Sequence, residues 1–129
     1  MRGIRGAITV EENSRPAILR ATEQLLEQIM ELNQLTEKEL VSILFTSTSD
    51  LDRVYPALAA RQLGLAAVPL LCLQEMAVVD SLKMCIRVLV HINRDCRPDE
   101  IKNVYLKGAR ILRPDLVCSQ TEDSKGEMS

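Results

Sequence analysis

Alternating apolar and polar residues predict that the chain opens with a strand. Apolar residues or glycine occupy the even positions of the segment 4–10, while Arg5 falls on the opposite face. A repeat of two residues is that of a strand, which we expect over residues 2–10. Gly3 and Gly6 leave room there for the close approach of another backbone or of a ligand.

A long amphipathic helix is predicted next. Ser14 is a suitable N-cap, and Pro16 fits the first helical turn. Aliphatic residues then recur every three or four positions, and the helix should turn this face to the core. The members of this apolar stripe are Ile18, Ala21, Leu25, Ile29 and Leu32, widened by Leu26 and Met30.

The rest of the chain alternates between short strands and short helices. Strands are predicted over 41–46, 68–73, 83–92 and 104–112, the last with Gly108 as a bulge. The run 68–73 is continuously apolar, so we expect it to be buried on both faces. Short helical turns are predicted at 36–39, 56–63 and 97–100. Together these elements indicate an α/β or α+β fold, a mixed sheet packed against one long helix and short helices.

Composition narrows the class of protein. A chain of 129 residues suits one domain, which we place at 1–117, followed by a polar and mobile tail at 118–129. The formal charge of −2, with both signs interspersed, favours neither nucleic acid nor a membrane surface as partner. No signal peptide or spanning segment is predicted, so we expect a soluble protein. A hydrophobic content of 47% suggests that other subunits cover part of the surface.

The cysteines point to a reducing compartment. Cys72, Cys85, Cys96 and Cys118 are widely spaced and form no Cys-x-x-Cys pair. We expect free thiols and a cytoplasmic location. Neither a glycine-rich phosphate loop nor a cluster of metal ligands is recognisable, so no cofactor and no metal are predicted.

The candidate chemistry lies in charged residues within apolar strands. Arg87 stands mid-strand and needs a partner, which is either a structural carboxylate or an anionic ligand. Arg5 also lies within an apolar strand and needs a partner of one of these two kinds. Glu75 follows a predicted strand, and Tyr105 has a hydroxyl that either meets a ligand or faces water. From the residues alone, the chain is an anion-binding α/β protein with these alternatives open.

Eight segments resemble, in order, the monofunctional chorismate mutases of the small trimeric α/β class. They are Arg2–Glu11, Tyr55–Ala57, Ala60–Arg61, Val68–Leu70, Gln74–Glu75, Cys85–Val88, Val104–Leu106 and Leu112–Leu116. The resemblance implies an isomerase of aromatic amino-acid biosynthesis that rearranges chorismate to prephenate. It also implies a barrel-like homotrimer with active sites between neighbouring chains.

The resemblance further implies roles for individual residues. Arg87 would reach the ether oxygen of the substrate and hold its side-chain carboxylate, which Arg5 and Tyr105 would bind as well. Glu75, with the backbone at Cys72, would hold the ring hydroxyl. The remaining implied contacts are a wall of Leu71, Cys72, Leu73 and Gln74, then Tyr55, Ala57 and Arg61 of the adjoining chain, with Leu112 and Arg113 near the mouth. A unimolecular rearrangement needs positioned charges rather than a proton shuttle or a nucleophile, which agrees with the missing catalytic motifs.

Two rival interpretations share this architecture. One is a trimeric carboxylate-binding protein or imine hydrolase, and the other is a purely structural trimer in which the arginines only pair with carboxylates. The set Arg5, Glu75, Arg87 and Tyr105 favours the mutase.

Overall fold

The computed structural model of the chain describes residues 1–112, so Arg113, Cys118 and the tail expected over 118–129 lie outside the described residues. The elements are β1 (Arg2–Thr9), α1 (Arg15–Leu32), β2 (Leu40–Ser47), α2 (Ala57–Gln62), β3 (Leu70–Gln74), β4 (Cys85–Ile92) and β5 (Val104–Leu106). Short 3₁₀ helices span Glu37–Glu39, Pro98–Glu100 and Lys107–Ile111. The strands form one mixed sheet in the order β3-β2-β4-β1-β5, which confirms the predicted fold class.

Helix α1 forms as its sequence pattern predicts. The Ser14 hydroxyl accepts a hydrogen bond from the backbone N–H of Ala17 at 3.3 Å, which satisfies one of the free donors at the helix start. The buried face of the helix consists of Ile18, Ala21, Thr22, Leu25, Leu26 and Ile29. Within the described part of the chain, no helix is both long and apolar enough to cross a bilayer.

Gly6 lets α1 approach the sheet closely. A Cβ atom at this position would lie only 2.8 Å from Cδ1 of Ile29 and 3.2 Å from Cδ1 of Leu25. The close approach predicted for Gly6 is therefore with the core helix. Gly3 lies on the opposite face of β1 and is exposed.

The two faces of the sheet have different environments. One face packs under α1 and α2 and forms the main hydrophobic core, which includes Ile8, Phe45 and Val88. We call the other side the open face. Strand pairing places two rows of side chains across it: Leu73, Thr46, Arg87, Ala7 and Tyr105 in the first row, and Leu71, Leu44, Leu89 and Arg5 in the second.

The prediction that the run 68–73 is buried on both faces is wrong. Strand β3 is one of the two edge strands of the sheet, and Leu71 and Leu73 are 55% and 46% exposed on the open face. Leu70 and Cys72 pack towards the core. A continuous apolar run predicts burial without saying whether the burial occurs within the chain.

The strand predicted over 104–112 is shorter than expected. Strand β5 ends at Leu106, and Lys107 takes a positive φ of 54°, after which the chain turns into a 3₁₀ helix. Gly108 is not a bulge, since its N–H donates to Oγ1 of Thr9 at 2.9 Å. The turn brings Ala109 over the open face, where it packs against Ala7 and Tyr105.

An ion pair clamps the far end of β4 to the end of α1. Arg94 donates to both carboxylate oxygens of Glu39, at 2.8 and 2.9 Å, and to the carbonyl of Asn33 at 2.9 Å. The hydrogen bonds from Arg94 and from the N–H of Thr36 lower the pKa of Glu39 from 4.5 to about 2.

This clamp predicts a pH-dependent contribution to stability. Because the folded pKa of Glu39 lies near 2, the contribution is full above about pH 4.5 and is lost as the pH falls towards 2. Glu39→Gln should therefore lower Tm by a few degrees near neutrality, and this difference should shrink towards pH 2. Thermal unfolding followed by circular dichroism measures it. Glu37→Gln, on the same 3₁₀ helix, is the control, and equal pH profiles for the two variants would contradict the assignment.

Candidate active site

Arg87 lies at the centre of the open face. Its strand, β4, runs between β2 and β1, so the backbone is hydrogen-bonded on both sides. The side chain is 47% exposed, and its Nη2 atom lies 3.3 Å from Oε2 of Glu75. The partner expected for a guanidinium in an apolar strand is therefore a carboxylate of the same chain.

Glu75 is held from two directions. Its backbone N–H donates to the carbonyl of Ser47 at 2.9 Å, which extends the pairing of β3 with β2 by one residue. One carboxylate oxygen accepts a hydrogen bond from the hydroxyl of Thr46 at 2.5 Å, and the other faces Arg87. The carboxylate is thus oriented before any ligand arrives.

Thr46 is a residue of the site that the sequence pattern did not indicate. It pairs with Arg87 across the strands and contacts the carboxylate of Glu75. The only signal in the sequence is a hydroxyl residue in the apolar strand β2. Its meaning depends on the register between β2 and β4, which the sequence pattern does not reveal.

Arg5 and Tyr105 lie on the same face as Arg87. Ala7 pairs with Arg87 on one side and with Tyr105 on the other, and Arg5 lies two residues before Ala7 on β1. The structure therefore brings together Arg5, Arg87, Glu75 and Tyr105, the four residues singled out as a set.

Tyr105 is almost fully buried within the chain, so most of its ring packs against protein rather than facing water. Its side chain is 5% exposed and packs with Ala7, Cys85 and Ala109, and Leu112 lies against the same cluster. Of the two residues expected near the mouth of the site, Leu112 thus lies beside Tyr105.

A network of hydrogen bonds ties the loop after β2 to the start of β4. The carboxylate of Asp50 accepts from the N–H of Met84 at 3.1 Å, and from the hydroxyl of Thr48. The Thr48 hydroxyl in turn accepts from the N–H of Cys85 at 3.0 Å. Met84 adopts a positive φ of 53°, which is uncommon for a non-glycine residue. The first residue of β4 is therefore fixed two positions before Arg87.

Burial holds two thiols near the site in their neutral form. It raises the pKa of Cys85 to about 11, against the opposing effect of Arg87. It also raises the pKa of Cys72, which receives a hydrogen bond from the N–H of Ala57 and feels the charge of Arg61. Cys72, Cys85 and Cys96 are free thiols, as the sequence predicts.

Several of the other predicted contacts lie at a cleft beside the open face. It has a volume of about 580 Å³ and lies between the loop after β2 and strand β3. Four of the predicted contacts line it, namely Tyr55, Cys72, Leu73 and Gln74. Ala57 and Arg61 lie close to Cys72, which lines the cleft.

Within the described residues, the predicted contacts thus fall into two groups. Arg5, Arg87 and Tyr105 lie on the open face and do not line the cleft, whereas Glu75 follows directly on its wall. The fold and the two arginines on the open face define a small α/β protein with a site for an anionic small molecule.

Comparisons with known proteins identify the family to which this chain belongs. The sequence model of type I chorismate mutases matches residues 1–116. Chorismate mutase AroH of Bacillus subtilis is 47% identical over 117 residues, which cover 90% of this chain and 92% of that protein. Chorismate mutase AroH of Thermus thermophilus is 48% identical over 121 residues, 93% of this chain and 99% of that protein. A solved chorismate mutase from Clostridium thermocellum superposes with a TM-score of 0.84 at 44% identity, covering 86% of this chain and 99% of that chain.

The chain therefore belongs to the type I chorismate mutase family. This confirms the interpretation of the sequence as a chorismate mutase, an isomerase of aromatic amino-acid biosynthesis that acts on a small molecule. The rival classes, a carboxylate-binding protein and an imine hydrolase, receive no support from these relatives.

The contact between Thr46 and Glu75 predicts a specific effect of one hydroxyl. Thr46→Val keeps the shape of the side chain but releases the carboxylate, so kcat/KM for chorismate should fall about 5- to 10-fold. Thr46→Ser restores a donor and should recover most of the activity. Steady-state kinetics and thermal unfolding measure the two effects. If Thr46→Val were as active as wild type, Thr46 would have no positioning role.

Proposed function

We propose that this chain accelerates the rearrangement of chorismate to prephenate by binding the substrate in a folded shape and by presenting a fixed cation to the oxygen that gains charge. The observation that carries this proposal is Arg87, half-exposed at the centre of the open face and oriented by Glu75. A cation held in place before the reaction does not have to reorganise as charge develops, which is the main source of electrostatic catalysis.

The reaction is intramolecular. The ether C–O bond of chorismate breaks while a C–C bond forms, and electrons shift within one ring of atoms, so no proton leaves the substrate. Negative charge accumulates on the ether oxygen, where Arg87 donates. Arg87 also holds the side-chain carboxylate together with Arg5 and Tyr105, and Glu75 accepts a hydrogen bond from the ring hydroxyl.

Glu75 has a second task in this proposal. Its carboxylate already accepts from Thr46 and faces Arg87, so the guanidinium is turned towards one side of the open face. Because a guanidinium is a planar fork with fixed donor directions, its orientation decides which ligand atoms it can reach. Glu75 therefore supports the position of Arg87 as well as contacting the substrate.

Other reactive side chains take no part in the proposed chemistry. His91 lies on the open face and shares a hydrogen bond of 2.9 Å with the hydroxyl of Ser42. The thiols of Cys72 and Cys85 are neutral near pH 7 because burial raises the pKa of each. Cys72 contributes through its backbone, as the family resemblance implies.

The site belongs to a homotrimer in this proposal. Arg87 and the wall 71–75 of one chain form most of the pocket, and Tyr55, Ala57 and Arg61 of the adjoining chain complete it. Two observations support it. Tyr55 lines the cleft, and Ala57 and Arg61 lie near Cys72 on its wall, whereas Arg5, Arg87 and Tyr105 of the same chain do not line it. Three members of the second row of the open face, Leu71, Leu44 and Leu89, also form an apolar row that another subunit would cover. Arg113 and Leu112 complete the mouth, and the free thiols favour the cytoplasm.

Arg87 is the residue on which the proposed activity depends most. Arg87→Ala should lower kcat for chorismate by about 100-fold or more, as loss of an oxyanion donor does, with secondary structure intact. Arg87→Lys should recover little, because the charge remains but the fork is lost. The assay follows chorismate disappearance and identifies prephenate as product.

Arg97→Ala provides the matched control for Arg87→Ala. Arg97 is 75% exposed and pairs only with neighbouring carboxylates among the described residues, so its removal should leave kcat unchanged. A folded wild-type protein that produced no prephenate would contradict the proposed activity. Equal kcat in wild type and Arg87→Ala would contradict the role of Arg87.

The trimer is tested by mass in solution. Sedimentation equilibrium should give three times the chain mass of 14.5 kDa. Leu44→Asp puts a charge into the apolar row of the open face and should yield monomers with little activity, whereas Gln24→Asp on the exposed side of α1 should leave the trimer intact. Circular dichroism verifies folding, and a monomeric wild-type protein with full activity would exclude the shared site.

A further inference from the structure

The cleft beside β3 contains two arginines that none of the roles above uses. Arg15 is the first residue of α1, and Arg53 lies in the loop after β2, yet both line the cleft with Tyr55, Leu73 and Gln74. Two different elements thus place an arginine at the cleft where several of the proposed substrate contacts lie.

The two arginines are available for a ligand. Among residues 1–112, Arg15 makes no ion pair, and Arg53 approaches one carboxylate, that of Asp52, through its Nε atom at 3.7 Å. The Asp52 carboxylate also accepts a hydrogen bond from the side chain of Asn13 at 2.8 Å. Exposed pairs of this length contribute little, so an incoming carboxylate can replace the contact at Arg53.

The charge balance of the cleft is positive. Arg15 and Arg53 line it, and Asp52 is the only carboxylate among the described residues that does so. A cleft with excess positive charge raises the local concentration of anions and speeds their association, and salt screens the effect.

The substrate supplies two carboxylates. In the proposed function, Arg5, Arg87 and Tyr105 take the side-chain carboxylate, and these residues do not line the cleft. The ring carboxylate is a second anionic group on a different carbon of the substrate, and it also needs cationic partners wherever it is removed from water.

We propose that Arg15 and Arg53 bind the ring carboxylate of the substrate at the cleft and draw the dianion into the site. This inference rests on the proposed function. The ring carboxylate keeps its charge throughout the rearrangement, so its contacts stabilise the ground state and the transition state equally. Such uniform binding lowers KM and leaves kcat unchanged.

The test compares Arg15→Gln, Arg53→Gln and the double variant with Arg97→Gln, which removes the same charge from an exposed position outside the cleft. At about 20 mM ionic strength, the double variant should raise KM for chorismate about tenfold with kcat within about twofold. Each single variant should have an intermediate KM, and Arg97→Gln should match wild type. At about 200 mM ionic strength, the gap between the double variant and wild type should narrow.

Binding of prephenate, which keeps both carboxylates, separates the failure of this inference from that of the proposed function. Titration calorimetry with prephenate should give a Kd about tenfold weaker for the double variant than for Arg97→Gln. Active wild type with equal KM and Kd in these two variants would overturn the inference alone. Inactive wild type that binds prephenate through Arg15 and Arg53 would overturn the proposed function alone, and wild type that neither binds nor reacts would overturn both.

Discussion

A guanidinium in the middle of a paired strand imposes the central constraint on this protein. Arg87 cannot leave the open face, because β4 is hydrogen-bonded on both sides, and its neighbours along the strand are apolar. It therefore needs a carboxylate that comes from elsewhere in the sheet. Glu75 meets this need because β3 runs parallel to β2 and ends at the pair of Gln74 with Ser47, so that the next residue reaches Thr46 and Arg87. The order of the strands therefore determines which carboxylate can pair with Arg87.

The sequence predicted those elements whose burial is decided within the chain. Strand β1 and helix α1 each have one face against the core, so their periodicity is unambiguous. The apolar run at β3 was misread because its open-face leucines stay exposed in the chain. The end of β5 was misread because a positive φ at Lys107, rather than a loss of apolar residues, stops the strand.

The site was predictable to the extent that its residues stand out in sequence or match the family. Arg5, Glu75, Arg87 and Tyr105 satisfied one or both conditions, and the strand register places them together. Thr46 satisfied neither, since its importance comes from the residue it faces. The same holds for Arg15 and Arg53, two ordinary surface arginines whose shared cleft emerges only when the first turn of α1 folds against the loop after β2.

The network around Asp50 and Thr48 has a consequence for how this chain can change over evolution. The backbone of Glu75 is bonded to Ser47, and those of Met84 and Cys85 are bonded to Asp50 and Thr48. Both ends of the connection between β3 and β4 are therefore anchored to the same short stretch of chain, residues 47–50. The segment between these anchors, residues 76–83, can therefore change in length or composition while the Glu75 carboxylate and the Arg87 guanidinium keep their separation. Sequence changes in this segment can alter the adjacent surface of the protein without changing the geometry of the site.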